Sequence, residues 1–247
     1  MERTTSSAHR PWPKPERPWV MAQRWHDLLF AHWPVSAAQM RALVPAELEL
    51  DTFRGEAWVG IVPFRMSGIR LRGTPPVPGL SAFPELNLRT YVRHEDKPGV
   101  WFFTLEASQP VAVGVARRWF HLPYHRARMV CRREGEDIHY ASRRADRRGA
   151  AASFVARYGP CGPARIAAPG TLEHWLVERY CLYALGPGRG LLRGEIDHPP
   201  WRLQAARAHF AENTLAAAHA IDLGRCQPLL HFARLQEVVV WTPEALG

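Results

Sequence analysis

Four polar side chains alternate along one predicted strand, and together they could form a binding or catalytic site. They are Glu85, Asn87, Arg89 and Tyr91, which share one face because successive residues of a strand point to opposite sides. If this face meets solvent, the segment is an ordinary amphipathic strand. If it faces inward, it supplies a carboxylate, an amide, a guanidinium and a phenol to a pocket. Arg89 would then hold a carboxylate through two hydrogen bonds, and Glu85 could act as an acid or base.

Two further candidate residues, Tyr124 and His125, follow Pro123 at the end of a predicted helix. A phenol and an imidazole can both donate or accept protons, so we group them with Glu85 as candidate acid or base residues. A structural role for His125 is the alternative, since the chain contains 12 histidines. His121 and His125 have the i, i+4 spacing of zinc ligands, but no third ligand is nearby in sequence and HExxH is absent. We therefore predict no metal site.

Strands must position most of these residues, because the chain shows alternation, aromatic content and turn signals over much of its length. The predicted strands cover residues 48–52, 56–63, 85–92, 100–107, 191–196, 202–210 and 237–241. Between strands, residues 94–99 are predicted to form a turn, and the proline-containing residues 73–79 a loop at the rim of a sheet. The pattern is typical of a mainly β domain.

Four short helices are predicted at the periphery of this domain. The first follows Ser36, the second covers residues 109–120, the third follows Thr171, and the fourth covers the alanine-rich residues 212–220. The second helix carries apolar residues at four-residue steps: Val111, Val115 and Trp119. The inward side of the third is predicted to include Leu172, Trp175, Leu176 and Tyr183.

The chain is interpreted as one domain preceded by an arm. Residues 1–18 are rich in Arg, Pro, Ser and Thr, and we expect a flexible, proline-rich arm there. Residues 19–247 contain no internal repeat or long linker, so we predict a single mainly antiparallel β domain (α+β) with peripheral helices. We recognise no signal peptide or membrane-spanning segment, and the 4 cysteines lack CxxC spacing. We therefore expect a cytoplasmic protein without a membrane partner.

The net charge of +9 and the pI near 10.0 come almost wholly from arginine, with Lys14 and Lys97 as the only lysines. The arginines are densest in the predicted hairpin at residues 126–148, whose turn lies at residues 134–137. No groove-reading motif accompanies them, so we interpret the hairpin as a solvated face and do not expect a nucleic-acid partner. Binding of nucleic acid there is the alternative. The sequence does not determine the oligomeric state, and a homo-oligomer is one alternative.

Several longer motifs, in order, resemble the YqjF-like family, domain of unknown function 2071 (DUF2071), within the acetoacetate decarboxylase-like superfamily. The match runs from about Trp19 to Trp241. It includes LELDTFRGEAWVGIVPFRM (48–66), PVPGLSAFPELNLRTYV (76–92), GVWFFTLEAS (99–108), TLEHWLVERYCLY (171–183), HPPWRLQ (198–204), AENTL (211–215) and LLHFARLQEVVVW (229–241). The resemblance implies a closed or cone-shaped antiparallel β-barrel with a central ligand pocket.

The segment VAVGVARRWFHLPYH (111–125) resembles the active-site segment of acetoacetate decarboxylases without its amine. In those enzymes two lysines follow the proline, and one of them forms a Schiff base with the keto acid. Here Tyr124 and His125 occupy these positions. Neither Lys14, in the arm, nor Lys97, in a turn, is placed to substitute for the missing amine. We therefore do not expect Schiff-base decarboxylation.

The family resemblance also assigns two site residues. Glu85 corresponds to a pocket glutamate of the decarboxylases, and Arg117 to the arginine of their Gly-Arg-Glu run, although Arg118 replaces the glutamate. The candidate catalytic residues are thus Glu85, Tyr124 and His125. The candidate ligand-binding residues are Asn87, Arg89, Tyr91 and Arg117.

The expected ligand is a small anionic or carbonyl-bearing organic molecule, bound in the barrel pocket without a cofactor. If the protein is an enzyme, we expect lyase-like or isomerase-like acid/base chemistry that needs no lysine. The alternative is a non-catalytic metabolite-binding or sensing protein on the same scaffold.

Overall fold

The computed structural model describes residues 9–246, most of which lie in strands. The strands are β1 Met21–Val35, β2 Glu49–Leu50, β3 Ala57–Leu71, β4 Phe83–His94, β5 Lys97–Ala107, β6 Tyr124–Glu134, β7 Asp137–Arg144, β8 Ser153–Ile166, β9 Cys181–Leu185, β10 Leu191–Asp197, β11 Arg202–Asn213, β12 Leu229–Val240 and β13 Glu244–Ala245. The helices are α1 Ala37–Leu43, α2 Pro110–Trp119 and α3 Leu172–Val177, with 3-10 turns at Pro187–Arg189 and Ala217–His219. The predicted mainly β fold with a few helices is confirmed.

All of these strands belong to one sheet. Its pairings run in the order β5-β6-β7-β8-β11-β12-β1-β3-β4, and β4 pairs again with β5, so the succession of hydrogen-bonded strands returns to its start. Most neighbours are antiparallel, whereas β5 pairs in parallel with both β6 and β9. A sheet that curls back on itself has an inner and an outer face, and residues alternate between them.

This alternation separates the buried apolar residues of β1 into two clusters. In β1, Leu28 and Phe30 belong to the first cluster, whereas Leu29 and Ala31 belong to the second. The first cluster surrounds a cavity, to which Leu28 and Phe30 contribute. Because β1 is apolar on both faces, the period-two signal of a half-buried strand is weak there.

The same rule orients the polar face of β4. Leu86 and Leu88 are buried in the second cluster. The residues that alternate with them, Glu85, Asn87 and Arg89, point the other way, toward the cavity. Antiparallel pairing with β5 places Glu85 opposite Ala107 and Asn87 opposite Leu105. The polar row therefore lies on the inner side of the sheet.

The predicted arginine-rich hairpin is present as β6 and β7. These two strands pair antiparallel, from Ala127 opposite Arg144 to Glu134 opposite Asp137. Most β6 side chains from Arg128 onward are exposed or half-buried, and ion pairs join the hairpin to neighbouring strands. One example is Asp137, which binds Arg157 and Arg207 at 2.5 Å each.

The prediction of a helix at residues 212–220 is wrong. Glu212 and Asn213 continue β11 and pair with β8. The helical part is reduced to the 3-10 turn at Ala217–His219. Alanine has a high helix propensity, but pairing with a long neighbouring strand outweighs it at the start of this segment.

The predicted cap of the third helix is confirmed, but the helix is shorter than expected. The Thr171 hydroxyl accepts a hydrogen bond from the backbone N–H of His174 at 3.3 Å. The helix ends at Val177, so Tyr183 lies in β9 and not on the helix. Its side chain is nevertheless buried, and its hydroxyl donates to the carbonyl of Lys97 at 2.7 Å.

Residues 9–18 differ from the expected flexible arm, because Arg10 anchors them to β10. Its guanidinium is buried and forms ion pairs with Glu195 at 3.0 Å and Asp197 at 3.1 Å. It also donates to the carbonyl of Ile196 at 2.6 Å and lies 4.8 Å from the ring centroid of Tyr180. The remainder of the predicted arm, residues 1–8, lies outside the described residues.

Candidate functional site

A cavity of about 590 Å³ opens between the first apolar cluster, α2 and the loop at residues 72–82. Apolar side chains form most of its wall, among them Leu28, Phe30, Val62, Phe64, Met66, Phe83, Phe102 and Leu105. A volume of this size is typical of sites for organic ligands, which are mostly apolar with a few polar groups that fix orientation. The polar groups of this wall therefore define the chemistry that the cavity can perform.

Strand β4 supplies three of those polar groups. Glu85, Asn87 and Arg89 line the cavity, as the inward orientation of their strand face requires. Tyr91, the fourth residue of the row, does not line it. The Tyr91 hydroxyl is instead hydrogen-bonded to Nε2 of buried His32 at 2.7 Å, and its ring packs 4.7 Å from that of Trp175. Tyr91 thus packs against His32 and Trp175 and does not line the cavity.

Glu85 is a buried carboxyl group with only 3% of its surface exposed. The Tyr124 hydroxyl donates to its Oε2 at 2.8 Å. With the Asn87 amide oriented to satisfy its hydrogen bonds, the Asn87 nitrogen donates to Oε1 at 3.1 Å. Burial raises the pKa of Glu85 to about 7, against the opposing effect of these two donors. At neutral pH, Glu85 can therefore both take up and release a proton.

Tyr124 reaches Glu85 because of the unusual parallel pairing of β5 with β6. Tyr124 is the first residue of β6 and lies beside Leu105 of β5, which is itself opposite Asn87 of β4. Burial, and then the nearby Glu85 carboxylate, raise the pKa of Tyr124 well above its ordinary value. The phenol therefore keeps its proton at neutral pH and remains a hydrogen-bond donor.

Arg89 brings a positive charge to the apolar wall. Its Nη2 donates to the carbonyl of Leu176 at 3.1 Å, and the guanidinium lies over the rings of Phe30 and Tyr91 at 5.5 and 5.6 Å. Its Nε is buried without a hydrogen-bond partner. No carboxylate among residues 9–246 forms an ion pair with Arg89, whereas Arg179, another arginine of the wall, binds Asp51 at 2.5 Å.

His125 and Arg117 lie outside this cavity. Adjacent residues of a strand point to opposite faces, so His125 faces away from the cavity that Tyr124 lines. His125 and Arg117 line a separate, more open cleft of about 600 Å³, which Tyr124 also borders. Burial, followed by the nearby Arg144, lowers the pKa of His125 to about 4. The Arg117 guanidinium is committed to an ion pair with Asp146.

Sequence reasoning missed β1, which contributes Gln23, Trp25, Leu28 and Phe30 to the cavity. The uninterrupted apolar residues 28–31 were an available signal, because such a run is typical of a strand buried on both faces. Arg179 was also missed. Nothing in its local sequence distinguishes it from the many surface arginines of the chain.

Both lysines lie away from the cavity. Lys14 Nζ is 2.7 Å from Asp197, and Lys97 Nζ is 3.4 Å from Glu195, and neither lysine lines the cavity. In the part of the chain that the structure describes, no group of three or more His, Cys, Asp or Glu side chains could hold a metal ion. No helix within residues 9–246 is long and apolar enough to cross a membrane.

Solved structures with a similar fold include acetoacetate decarboxylase from Legionella pneumophila, with a TM-score of 0.67 and 13% identity over 97% of this chain and 93% of that one. The enduracididine biosynthesis enzyme MppR, complexed with pyruvate, has a TM-score of 0.64 and 12% identity over 94% of this chain and 92% of that one. An acetoacetate decarboxylase-like enzyme from Sphingomonas wittichii RW1 has a TM-score of 0.60 and 15% identity, covering 93% and 94% of the two chains. At these identities the likeness concerns the fold alone.

Sequence comparison identifies the family. The DUF2071 model, described as an uncharacterized conserved protein, matches residues 22–237. The uncharacterized protein YqjF of Bacillus subtilis (strain 168) is 46% identical over 227 residues, which cover 92% of this chain and 93% of the relative. The resemblance seen in the sequence is therefore confirmed, and the chain belongs to the YqjF-like DUF2071 family, on an acetoacetate decarboxylase-like fold.

Proposed function

We propose that the protein binds a small organic anion that carries a carbonyl group, and that Glu85 transfers a proton to or from it while the Tyr124 hydroxyl donates a hydrogen bond. Arg89 would hold the carboxylate of the ligand. The observation that carries this proposal is the position of Arg89: a guanidinium that lines an apolar cavity and has no carboxylate partner among the described residues.

The cost of burying a charge supports an anionic ligand. A charge that leaves water is destabilising unless an opposite charge or several hydrogen bonds compensate for it. Ring faces, one backbone carbonyl and a long hydrogen bond of 3.5 Å to the Tyr91 hydroxyl, all of them uncharged, compensate Arg89 only in part. A ligand carboxylate would supply the missing negative charge and accept hydrogen bonds from the guanidinium.

The proton-transfer step follows from the pKa of Glu85. A general acid or base works best when its pKa is close to the working pH, and Glu85, at about 7, meets that condition. Abstraction of a proton next to a ligand carbonyl would place that proton on Glu85, with the Tyr124 hydroxyl as a nearby hydrogen-bond donor. The reaction class would be lyase-like or isomerase-like and would need no lysine.

A similar fold binds a ligand of this class. The solved structure of MppR contains pyruvate, which is a small organic anion with a carbonyl group. That is a property of MppR, but it supports the choice of ligand class for a cavity with Arg89 and Glu85 in its wall.

A non-catalytic metabolite-binding or sensing role is the second candidate function. The observation that favours it is that neither lysine of the chain lines the cavity, so the cavity wall has no lysine nucleophile. Mass spectrometry under native conditions distinguishes the two functions. A bound metabolite that stays unchanged over hours indicates sensing, and its conversion indicates catalysis.

The anion-binding proposal is tested by titration calorimetry of 2-oxohexanoate and of hexan-2-one, which lacks the carboxylate. Arg89→Met should weaken binding of 2-oxohexanoate by about tenfold or more, since a charge-assisted hydrogen bond contributes roughly 1.5–3 kcal/mol. Binding of the neutral ketone should not weaken. The control is Arg157→Met, because Arg157 is an exposed arginine of β8 outside the cavity. Equal affinities of wild type and Arg89→Met for 2-oxohexanoate would contradict the proposal.

A further inference from the structure

Exposed apolar side chains are concentrated at the mouth of the cavity. Nine large apolar side chains are exposed among the described residues, and 6 of them also line the cavity. These six are Leu71, Val77, Leu80, Val111, Val115 and Trp119, each between 40% and 58% exposed. Residues that line the cavity and are also exposed mark where it opens to solvent, and we call these six the apolar rim.

The apolar rim has two walls, one from α2 and one from the end of β3 together with the loop that follows it. In α2 the only buried residue is Val113, and Val111, Val115 and Trp119 form an exposed stripe at four-residue steps. The other wall is held against the start of α2, because the Gln109 side chain donates to the carbonyl of Gly79 at 2.9 Å. The two walls therefore frame one opening.

An apolar opening that continues into an apolar cavity fits a ligand with a long apolar chain. Contiguous exposed apolar surface is unfavourable in water and commonly marks a site of interaction. A three-carbon acid at Arg89 would leave most of the cavity wall without a contact. An extended chain would fill the cavity and cover the apolar rim.

The charges around the mouth favour such an anion over a second copy of this chain. The two segments that carry the apolar rim, residues 67–83 and 108–123, contain four arginines and no Asp or Glu. The arginines are Arg70, Arg72, Arg117 and Arg118, of which Arg117 is ion-paired with Asp146. A two-fold contact between two apolar rims would bring the like charges of Arg70 and Arg118 together, whereas an anionic amphiphile would be attracted.

From these observations we infer that the ligand is an amphipathic monocarboxylate: its carboxylate lies at Arg89, and its unbranched apolar chain extends through the cavity to the apolar rim. This inference rests on the proposed function and names its ligand class. Glu85 and Tyr124 border the path of the chain near its carboxylate end, whereas Val115 and Trp119 contact its far end.

A series of straight-chain carboxylates tests the inference, with affinities measured by titration calorimetry from butanoate to dodecanoate. Each added methylene should strengthen binding about fourfold while the chain stays inside the cavity, as expected for burial of one CH2 group. Val115→Ser and Trp119→Ser should each weaken dodecanoate binding several-fold and leave butanoate binding unchanged. The matched control is Leu235→Ser, since Leu235 is 48% exposed but does not line the cavity.

The outcomes separate this inference from the proposed function on which it rests. If affinity does not depend on chain length but still requires Arg89, the inferred apolar chain of the ligand is overturned and the proposed anion site at Arg89 stands. Sedimentation could instead show that the wild type is a dimer and Trp119→Ser a monomer. If affinity is also independent of chain length, the apolar rim is an interface between two copies and the inference is overturned. Failure of every carboxylate of the series, and of 2-oxohexanoate, to bind would overturn both.

Discussion

Glu85 and Tyr124 form a pair whose protonation states are set by their surroundings. Burial raises both pKa values, but the carboxyl group titrates near neutral pH whereas the phenol stays protonated. One residue can therefore exchange a proton, and the other can donate a hydrogen bond without losing its own. Neighbouring His125, on the opposite face of β6, has its pKa lowered to about 4 and is neutral at pH 7.

The raised pKa of Glu85 predicts a pH-dependent stability that Glu85→Gln removes. In the unfolded chain this carboxyl ionises near pH 4.5, but in the folded protein it stays protonated up to about pH 7. The folded state holds the extra proton between these values, so stability decreases as pH rises through this window and levels off above it. From pH 5 to pH 8 the wild type should lose about 2 to 3 kcal/mol relative to Glu85→Gln.

Urea unfolding of both proteins at pH 5 and pH 8 measures this difference. The comparison between wild type and Glu85→Gln cancels the contribution of groups that titrate alike in both, including the half-buried His125. A difference in unfolding free energy that is the same at both pH values would show that the pKa of Glu85 is not raised.

The sequence predicted which residues of β4 share a face, but not which way that face points. Alternation grouped Glu85, Asn87 and Arg89 correctly, whereas the inward orientation depends on Leu86 and Leu88 packing into a second cluster formed by distant strands. Tyr91 was grouped with the row, yet its hydroxyl is bound to His32 of β1. Local periodicity carries no information about a partner 59 positions away.

At the scale of elements, the segment at residues 9–18 is tied to β10 through Arg10. Composition predicted a flexible arm there, because proline and arginine are common in disordered segments. The structure places Arg10 against two buried carboxylates, Glu195 and Asp197. Two buried ion pairs with a distant strand outweigh a compositional tendency, and such pairings cannot be inferred from one sequence.

Replacing Arg10 should destabilise the fold through the carboxylates that it leaves behind. Arg10→Ala should lower the free energy of unfolding by about 3 kcal/mol, as expected when one member of a buried ion pair is removed. Lys14 and Lys97 still contact the same carboxylates, which keeps the loss at the lower end of the range for such pairs. Chemical denaturation of the full chain measures it.

The matched control is Arg17→Ala. Arg17 pairs with Glu244 at 3.4 Å, but both side chains are more than one-third exposed, so its loss should change stability by less than about 1 kcal/mol. Equal effects of the two substitutions would mean that residues 9–18 are not anchored by Arg10.

Other elements show where local sequence signals were sufficient. The hairpin of β6 and β7 was predicted because a glycine turn separates its apolar runs, and α3 because Thr171 caps it. Strands β1 and β8 were not predicted, and β11 was taken to end before Glu212. Strand β1 pairs with β12, and β8 with β11, and these partners lie far away in sequence, so many of the stabilising contacts are long-range.

For the whole molecule, the circuit of strand pairings produces an inner space that a flat sheet would not have. Strands β1, β3, β4 and β5 contribute apolar side chains to its wall, and β4 and β6 contribute the polar pair. The fold is shared with acetoacetate decarboxylases, but the lysines of this chain lie outside the cavity. The proposed function therefore requires proton transfer by Glu85 and no covalent intermediate on a lysine.

Exchange of ligand protons with solvent measures proton transfer by Glu85. We expect the wild type, in D2O near neutral pH, to exchange the C3 protons of 2-oxooctanoate at least about 100-fold faster than buffer, in the range typical of general acid/base catalysis. Proton NMR follows the loss of the C3 signal. Glu85→Gln should return the rate nearly to that of buffer, and Arg157→Met should match the wild type. Exchange by the wild type at the buffer rate, or undiminished exchange by Glu85→Gln, would contradict the account.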